Sequence, residues 1–406
     1  MPEAVIVSYA RSPIGRANKG SLVGIRSDDL ATQMVKAALD KVPSLDPTQI
    51  DDLMLGCGLP GGEQGFNMAR VVSVLSGLDT VPGTTVNRYC ASSLQTTRMA
   101  MHAIKAGEGD VFISAGVETV SNFAKGTSDH IPDTKNPKFF DAMDRTAKRA
   151  EGGADTWVDP REAGDVPDVY IAMGQTAENV QQITGITRED QDAWGVRSHN
   201  LAEKAIESGF FDREIAPVTM PDGTVVTKDD GPRAGTTYEK ISQLNPVFRP
   251  DGTVTAGNCC PLNDGAAALV IMSDTKAKEL GLTPLARIVS TGVSGLSPEI
   301  MGLGPVEAVK QALGRANMSV NDIDLVDFNE AFAVQVLGSI RQLGIEEDKV
   351  NVSGGAIALG HPFGMSGARI TATLLNNLQT HDKQFGLETM CVGGGQGMAM
   401  IVERLS

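Results

Sequence analysis

Three side chains in this sequence have the chemistry and the surroundings that covalent catalysis requires: Cys90, His361 and Cys391. Cys90 follows an extended run at 84–89 and precedes a helical pattern, so its thiol is expected at the N-terminus of a helix. Free N–H groups and the helix dipole favour a thiolate there and can also hold an oxyanion. Cys90 is therefore a candidate nucleophile. The alternative for a free cysteine is a small buried apolar residue.

His361 and Cys391 both stand beside glycine-rich segments. His361 lies in Gly-His-Pro-Phe-Gly, where Pro362 keeps the histidine out of helical geometry, and an imidazole is a suitable base for a thiol. Cys391 ends a predicted strand and leads into Val-Gly-Gly-Gly-Gln-Gly, in which Gly393 can bring its backbone close to a ligand. No Gly-Lys-Ser/Thr follows, which disfavours a phosphate loop. The second thiol is either an acid/base group or a disulfide partner.

A polar pair, Asn329 and Glu330, follows the predicted strand at 323–328. Open α/β sheets bind their ligands at the carboxyl ends of strands. Asn329 is therefore a further candidate for the site, and helix capping is the alternative role.

An internal repeat indicates how these groups come together. A helical pattern followed by a strand occurs at 31–56 and again at 305–328, offset by about 273 residues, and each half closes with a similar apolar run. The same offset carries Cys90 onto the loop of His361. Equivalent loops of two duplicated domains meet at their pseudo-twofold interface, so we expect the thiol and the imidazole to form a pair.

Strand-like and helical patterns alternate within each half, which predicts an α/β fold with a largely parallel sheet. The stretch 121–250 is different: it is polar, charged and rich in proline and glycine, with one strong helical pattern at about 186–208. Its aromatic residues argue against a disordered linker, so we interpret it as an inserted loop domain. The predicted organisation is the first part of an N-terminal half at 1–120, a loop domain at 121–250, the closing strands of the first half at 251–275 and a C-terminal half at 276–406.

Composition excludes several classes of function. The 406 residues include 35 Lys and Arg against 50 Asp and Glu, and this net charge of −15 disfavours a nucleic-acid-binding protein. The five cysteines show no paired spacing, which indicates reduced thiols and a cytoplasmic setting. No window holds 18 apolar residues and the chain opens on a strand-like run, so neither a membrane span nor a signal peptide is expected.

As a set, these motifs resemble those of the thiolase family, the 3-ketoacyl-CoA thiolases and acetyl-CoA acetyltransferases. The similar segments are Val-Asn-Arg-Tyr-Cys-Ala-Ser-Ser around Cys90, Asn-Glu-Ala-Phe from Asn329, Gly-His-Pro-Phe-Gly around His361 and Cys-Val-Gly-Gly-Gly from Cys391. They occur in the family's order, and the likeness covers nearly the whole chain. It implies a thiolase-like α/β fold with duplicated βαβαβαββ halves in five layers, α-β-α-β-α, and an inserted loop domain.

The resemblance implies an acyltransferase that cleaves 3-ketoacyl-CoA with CoA, as in the β-oxidation of fatty acids. Cys90 would accept the acyl group after His361 deprotonates it, and Cys391 would protonate the departing acetyl-CoA enolate. His361 with a water on Asn329 would hold one oxyanion, and the N–H groups of Cys90 and Gly393 the other. Coenzyme A would be a co-substrate, with no tightly bound cofactor and no metal. The protein would form a homodimer or homotetramer.

By the same resemblance, Arg233 corresponds to a basic residue near the CoA nucleotide. The residues that match the lining of the pantetheine and acyl tunnel are Met173, Phe248, Ala256, Cys260, Met301, Ala331 and Phe332. Two departures from the family pattern stand out. Cys260 replaces the usual serine and is a weaker hydrogen-bond donor to the CoA arm. Ala172 stands where short-chain members typically carry histidine, which favours a degradative enzyme with a broader range of acyl chains.

Two alternative functions stay open at this point. One is a short-chain acetoacetyl-CoA thiolase that works in the condensation direction. The other is a CoA- or lipid-binding protein of the same fold without activity, which the presence of Cys90, His361 and Cys391 argues against. The acyl group, the physiological direction, the choice between dimer and tetramer and a Cys90–Cys391 disulfide are not fixed by the sequence.

Overall fold

The structure, a computed structural model, describes residues 2–126 and 133–406. Its strands are Ala4–Arg11 (β1), Gly15–Arg16 (β2), Asp52–Gly56 (β3), Gly83–Val86 (β4), Val111–Thr119 (β5), Val218–Thr219 (β6), Val225–Val226 (β7), Asn263–Ser273 (β8), Ala286–Gly295 (β9), Leu325–Phe328 (β10), Phe385–Val392 (β11) and Gln396–Arg404 (β12). Its α-helices are Ser27–Leu39 (α1), Met68–Leu75 (α2), Ser92–Ala106 (α3), Phe140–Ala150 (α4), Met173–Thr184 (α5), Arg188–Glu207 (α6), Tyr238–Ile241 (α7), Asp274–Glu279 (α8), Gly304–Ala316 (α9), Ala333–Leu343 (α10), Ala356–Leu359 (α11) and Ser366–Thr380 (α12).

The internal repeat predicted from the sequence is visible in the order of the strands. The large sheet runs β10-β11-β12-β9-β1-β8-β5-β3-β4, and β2 pairs with β8 beside this path. In the first half β3 is parallel to β5, β8 is antiparallel to β5, and β1 is antiparallel to β8. In the second half β10, β11, β12 and β9 repeat this pattern. Only two residue pairs, Val5 with Arg287 and Ile6 with Ala286, join the halves between β1 and β9.

The prediction of a largely parallel sheet is wrong. Only the pairs β3–β4, β3–β5 and β10–β11 are parallel among the described residues, and the other pairs are antiparallel. The reason is that β8 and β12 each return beside the preceding strand of their half, and β12 does so through a tight turn. Strand–helix alternation detects the crossovers that make parallel pairs, but it does not reveal such returns.

Five layers result from the way the helices cover this sheet. Helices α3 and α12 pack on each other between the two halves. Helices α1 and α2 cover the outer face of the first half, and α9 and α10 that of the second. The α-β-α-β-α arrangement expected from the resemblance is therefore present. Because both faces are covered, every residue of β5 and β8 is buried.

The chain between β5 and β8 forms the helices α4 to α7 and the hairpin β6–β7. The predicted helix at 186–208 is α6, and the side chain of Thr187 caps it by accepting the N–H of Asp190. Helices α5 and α6 pack against α10, and α6 also packs against α11, so this segment covers part of the second half. None of the helices in the described parts of the chain has the length and apolar character needed to cross a bilayer.

Candidate active site

Cys90 lies in a tight turn directly before α3, at the helix N-terminus that the sequence predicts. The turn is a 3-10 helix, Tyr89–Ala91, in which Tyr89 has a positive φ of 42°. The hydroxyl of Ser92 fixes the turn, because it accepts the N–H of Arg88 at 3.0 Å and donates to the carbonyl of Tyr89 at 2.6 Å. The backbone N–H groups of Gly393 and of Cys90 itself are directed at the buried sulfur.

The acidity of Cys90 differs from the sequence expectation of a thiolate. Burial raises the pKa of the thiol to about 11, and the nearby charge of Glu118 raises it further. The N–H groups of Gly393 and Cys90 lower that pKa, but by less. Desolvation thus outweighs the favourable helix terminus. Cys90 is a protonated thiol at rest and needs a base before it can attack.

His361 has the protonation state of such a base. Its Nδ1 lies 2.6 Å from the hydroxyl of Ser366, and that hydroxyl donates its only hydrogen to the carbonyl of Pro362 at 2.7 Å. Nδ1 must therefore carry the proton, and Nε2 keeps its lone pair. Burial, aided by the charge of Arg369, lowers the pKa of His361 to about 3, so the ring is neutral at physiological pH.

The loops of Cys90 and His361 meet at Gly58. A Cβ placed on Gly58 would lie 2.9 Å from the Cβ of Phe363, which is in the histidine loop, and 3.3 Å from the carbonyl of Tyr89. Beyond these loops α12 crosses α3, and Gly367 lies so close to Leu94 that a side chain would overlap its backbone N. The equivalent loops of the two halves are thus adjacent, as the repeat predicts.

Cys391 is the penultimate residue of β11, one residue before the strand ends. Its buried sulfur lies 3.3 Å from the side-chain amide of Gln335. Burial and the proximity of Cys90 raise the pKa of Cys391 well above the usual thiol value. Desolvation therefore makes the Cys391 thiol a weaker acid than a free cysteine.

Gly393 owes its position to the turn between β11 and β12. The next two glycines, Gly394 and Gly395, have φ values of 75° and 77°, which side-chain-bearing residues rarely adopt. This turn folds the chain back so tightly that the N–H of Gly393 faces Cys90.

Asn329 contacts the imidazole directly. Its Nδ2 lies 3.3 Å from Nε2 of His361, so the amide donates to the histidine's lone pair. Its Oδ1 is buried and has no partner among the described residues. Glu330, by contrast, is structural: its carboxylate accepts from Trp194, Ser198, Asn351 and the N–H of Ile357.

A basic cleft of about 300 Å³ opens beside these groups. Its floor includes Ala256, Cys259 and Cys260. Its cationic or ionisable side chains are Arg16, Lys19, His199 and Arg233. Burial, followed by the charges of Arg233 and Arg16, lowers the pKa of His199 to about 4. In a chain of net charge −15, this cleft is a local site for an anion.

The structure divides the predicted CoA-binding residues into two groups. Arg233, Ala256 and Cys260 line the cleft. The other five belong to, or pack against, the buried apolar cluster that also contains Cys391: Met173, Phe248, Met301, Ala331 and Phe332. Phe248 and Phe332 meet edge to face at 6.2 Å. Cys260 packs on this cluster as well, so it lies where the cleft adjoins the apolar region.

Several residues of the site were not found from the sequence: Arg16, Lys19, Glu118, His199, Gln335 and Ser366. Glu118 carried a usable signal, as the only charged residue in the apolar run of β5. Gln335 is likewise a polar residue in a buried helix. In the described ranges, no group of three or more His, Cys, Asp or Glu is arranged to hold a metal ion.

Comparisons with known proteins give a consistent result over the full length. The family description "Thiolase, N-terminal domain" matches residues 4–275, and "Thiolase, C-terminal domain" matches 282–404. A 3-ketoacyl-CoA thiolase of Bacillus subtilis is 44% identical, over 99% of this chain and 100% of its own length. A 3-ketoacyl-CoA thiolase of Idiomarina loihiensis is also 44% identical, over 100% of both.

Two crystal structures are similar in fold. The acetyl-CoA acetyltransferase of Bacillus anthracis superposes with a TM-score of 0.86 at 39% identity, covering 100% of this chain and 99% of its own. The dimeric peroxisomal thiolase of Saccharomyces cerevisiae superposes with a TM-score of 0.87 at 34% identity, covering 99% and 97%.

Proposed function

Because the chain belongs to the thiolase family and is therefore an acyltransferase, we propose that it cleaves 3-ketoacyl-CoA with CoA, giving acetyl-CoA and a shortened acyl-CoA. The observation that supports this most is the convergence at Cys90 of the N–H of Gly393 and the thiol of Cys391, with the loop of the neutral His361 adjacent to the turn of Cys90 at Gly58. Such a set suits a reaction that passes through a thioester on the enzyme.

In the first half-reaction the thiol of Cys90 attacks the 3-keto carbon. Its proton must leave, and the lone pair on Nε2 of His361 accepts it. The oxygen of the tetrahedral adduct is held by the N–H groups of Cys90 and Gly393, which already face the sulfur. The C2–C3 bond then breaks, which leaves the acyl group on Cys90 and acetyl-CoA as an enolate.

The enolate needs a second oxyanion site and a proton donor. His361, with a water bound by Asn329, holds the enolate oxygen. The raised pKa of Cys391 keeps this thiol protonated at rest, as a donor to the enolate carbon must be. The resulting thiolate takes the proton of the incoming CoA, and the CoA thiolate attacks the acyl group to form the shortened acyl-CoA. Cys90 departs as a thiolate and regains its proton from His361. No tightly bound cofactor or metal takes part.

Coenzyme A binds in the basic cleft. The guanidinium groups of Arg233 and Arg16 and the ammonium of Lys19 neutralise the phosphates of the nucleotide, beside the uncharged imidazole of His199. The pantetheine arm passes Ala256 and Cys260.

The acyl chain lies against the apolar cluster of Met173, Phe248, Met301, Ala331 and Phe332. In this organisation the first half comprises 1–120 and 251–275, and the second half comprises 276–406. The loop domain at 121–250 encloses the acyl chain. Ala172 in place of histidine favours acyl groups longer than acetoacetyl, in a degradative reaction.

The chain assembles as a homo-oligomer, either a dimer or a dimer of dimers. In support, β4 is an edge strand of the sheet, and α2 beside it exposes Val71, Val74 and Leu75. Phe66, before α2, is 96% exposed. A continuous apolar face beside a free edge is typical of a surface that a second copy covers. The five unpaired cysteines support a cytoplasmic setting. Sedimentation equilibrium measures the oligomeric state.

The decisive test follows the CoA-dependent loss of absorbance of the enolate form of the 3-ketoacyl-CoA substrate. The substrates form a panel from acetoacetyl-CoA to long and bulky acyl chains. We expect activity that rises with chain length, together with an acyl adduct on the Cys90 peptide when CoA is withheld. Activity restricted to acetoacetyl-CoA would instead support a short-chain enzyme that works toward condensation. Binding of CoA without turnover of any substrate would contradict the proposal and favour a binding protein of this fold.

A further inference from the structure

Glu118 is a charged residue in a position that normally excludes charge. It lies at the penultimate position of β5, between the two covered faces of the sheet, and its side chain is fully buried. Burying a carboxylate costs several kcal/mol of folding free energy unless hydrogen bonds replace its hydration. The hydrogen-bond partners of Glu118 therefore indicate what this residue does.

The partners of this carboxylate are donors without exception. Oε2 accepts the N–H of Gly58 at 2.7 Å and the N–H of Gly364 at 2.9 Å. Oε1 accepts from the side chain of Gln64 at 2.7 Å and from the N–H of Leu59 at 3.3 Å. The thiol of Cys57 also donates to Oε1, at 3.8 Å. The carboxylate therefore accepts from five donors, and an uncharged amide in its place could not satisfy all of them.

One oxygen of Glu118 thus joins two loops of different origin. Gly364 belongs to the loop of His361 in the second half, and Gly58 follows β3 in the first half. Both glycines are tightly packed against β5. A Cβ on Gly58 would lie 2.8 Å from Oε2 of Glu118, and a Cβ on Gly364 would overlap the carbonyl of Val117. Gly58 also contacts the turn of Cys90 through Tyr89.

The position of the imidazole relative to the thiol depends on this connection. Apart from Glu118, the histidine loop is tied to the first half by the N–H of His361, which donates to Asn263 Oδ1 at 3.0 Å, and by the N–H of Ala368, which donates to Ser93 at 2.9 Å. Glu118 alone among these residues also holds Gly58, the point at which that loop meets the turn of Cys90.

We propose that Glu118 is a positioning residue for the thiolase reaction, whose buried carboxylate fixes the His361 loop against the turn that carries Cys90. This inference rests on the proposed function for the same site. Glu118 touches neither reacting atom. It acts through the two backbone N–H groups of Gly58 and Gly364, and its negative charge also opposes ionisation of Cys90.

Two variants separate the geometric effect from the charge. Glu118→Asp keeps the charge but withdraws the carboxylate, whereas Glu118→Gln keeps the length and removes the charge. We expect kcat to fall by at least about 10-fold in both, because a displacement of about 1 Å can cost about 10²-fold in rate. The KM for CoA stays within about twofold, since the cleft is not touched. The matched control is Glu178→Gln, another buried carboxylate that accepts backbone N–H groups, those of Thr253 and Val254.

A second readout does not require turnover. The pH dependence of iodoacetamide alkylation, followed by mass spectrometry of the Cys90 peptide, reports the ionisation of this thiol among its ionisable neighbours Glu118, Cys260, His361 and Cys391. In Glu118→Gln the midpoint moves to lower pH, whereas in Glu118→Asp it stays at the wild-type value. If Cys90 becomes more acidic and kcat nevertheless falls, the loss of activity is explained by lost positioning.

The proposal is overturned if Glu118→Gln and Glu118→Asp keep the kcat of the wild type, whatever their alkylation midpoints. It is also overturned if Glu178→Gln loses as much kcat, since the effect would then be one of general stability. Circular dichroism establishes that each variant is folded, and the aspartate variant remains informative if the glutamine variant does not fold. If the wild type turns over no 3-ketoacyl-CoA, the proposed function fails, while the alkylation profile still tests the link between Glu118 and Cys90.

Discussion

The reacting thiols and the imidazole are all held in their uncharged forms at rest. Burial raises the pKa of Cys90 to about 11 and lowers that of His361 to about 3, so the resting site contains a thiol and a neutral base instead of an ion pair. In the proposed reaction, charge separation therefore awaits the substrate, whose developing oxyanion would be held by the N–H groups of Cys90 and Gly393. A buried thiol of this kind is also protected from adventitious oxidants, which attack the thiolate.

The proposed role of His361 as a base leads to the first prediction at this scale. His361→Asn removes the lone pair that accepts the thiol proton and one donor to the enolate, and should lower kcat by roughly 10²–10³-fold with little change in the KM for CoA. The control is His381→Asn at the exposed end of α12, which should keep wild-type kinetics. Steady-state kinetics measure both, and retention of more than about a tenth of kcat in His361→Asn would contradict the assignment.

The residues that sequence reasoning found and those it missed differ in a physical way. Cys90, His361 and Cys391 stand in segments whose glycines and prolines make them visible locally, and the repeat offset then relates the first two. Glu118 and Gln335 stand out locally only as polar residues in buried elements, which does not show what they bind. Their roles arise from hydrogen bonds to groups up to 246 positions away, as from Glu118 to Gly364, and no local pattern encodes such a partner.

At the scale of elements, the crossing of α3 and α12 sets the distance between the two halves of the site. Gly367 permits this crossing, because any side chain there would overlap the backbone of Leu94. The start of α6 was predicted to within two residues, and Thr187 marks it locally as the N-cap. The pairing of β8 with β1 and β5 was not predicted, because it joins strands that are distant in sequence.

This close approach gives the second prediction. Gly367→Ala should destabilise the protein by about 1–3 kcal/mol, because a methyl group forces the two helices apart. Gly314→Ala in α9 has open space around it and should instead stabilise the protein by up to about 1 kcal/mol through helix propensity. Urea denaturation followed by circular dichroism measures both. Equal effects of the two variants would show that helix crossing is not the constraint.

At the scale of the whole molecule, the central layer encloses an unusual group of charges. Asp327 on β10 and Glu388 on β11 are in register, and both are buried beside Arg369 on α12. Arg369 Nη1 lies 3.8 Å from Asp327 Oδ1. Burial raises the pKa of Asp327 to about 7, against the attraction of Arg369, and raises that of Glu388 well above its usual value.

Stability should therefore depend on pH in a defined direction. A carboxyl group whose pKa is about 7 when folded and about 3.9 when unfolded stabilises the protein below pH 4 relative to higher pH. This contribution is lost as the pH rises through 7. Asp327→Asn should flatten the fall in unfolding free energy between about pH 4 and 8. The exposed control Asp348→Asn should keep the wild-type slope, and urea denaturation at several pH values measures all three proteins. An unchanged slope in Asp327→Asn would contradict the prediction.

The pairing of β1 has a consequence for synthesis of the chain. β1 is made before both of its neighbours in the sheet, β8 and β9, which begin at Asn263 and Ala286. On the ribosome, β1 must therefore wait for more than 200 further residues to emerge before either of its edges is covered. The proposed catalytic group at Gly393 is made later still. A product that terminates before β8 thus leaves both edges of β1 uncovered and lacks the part of the site that contains His361, Cys391 and Gly393.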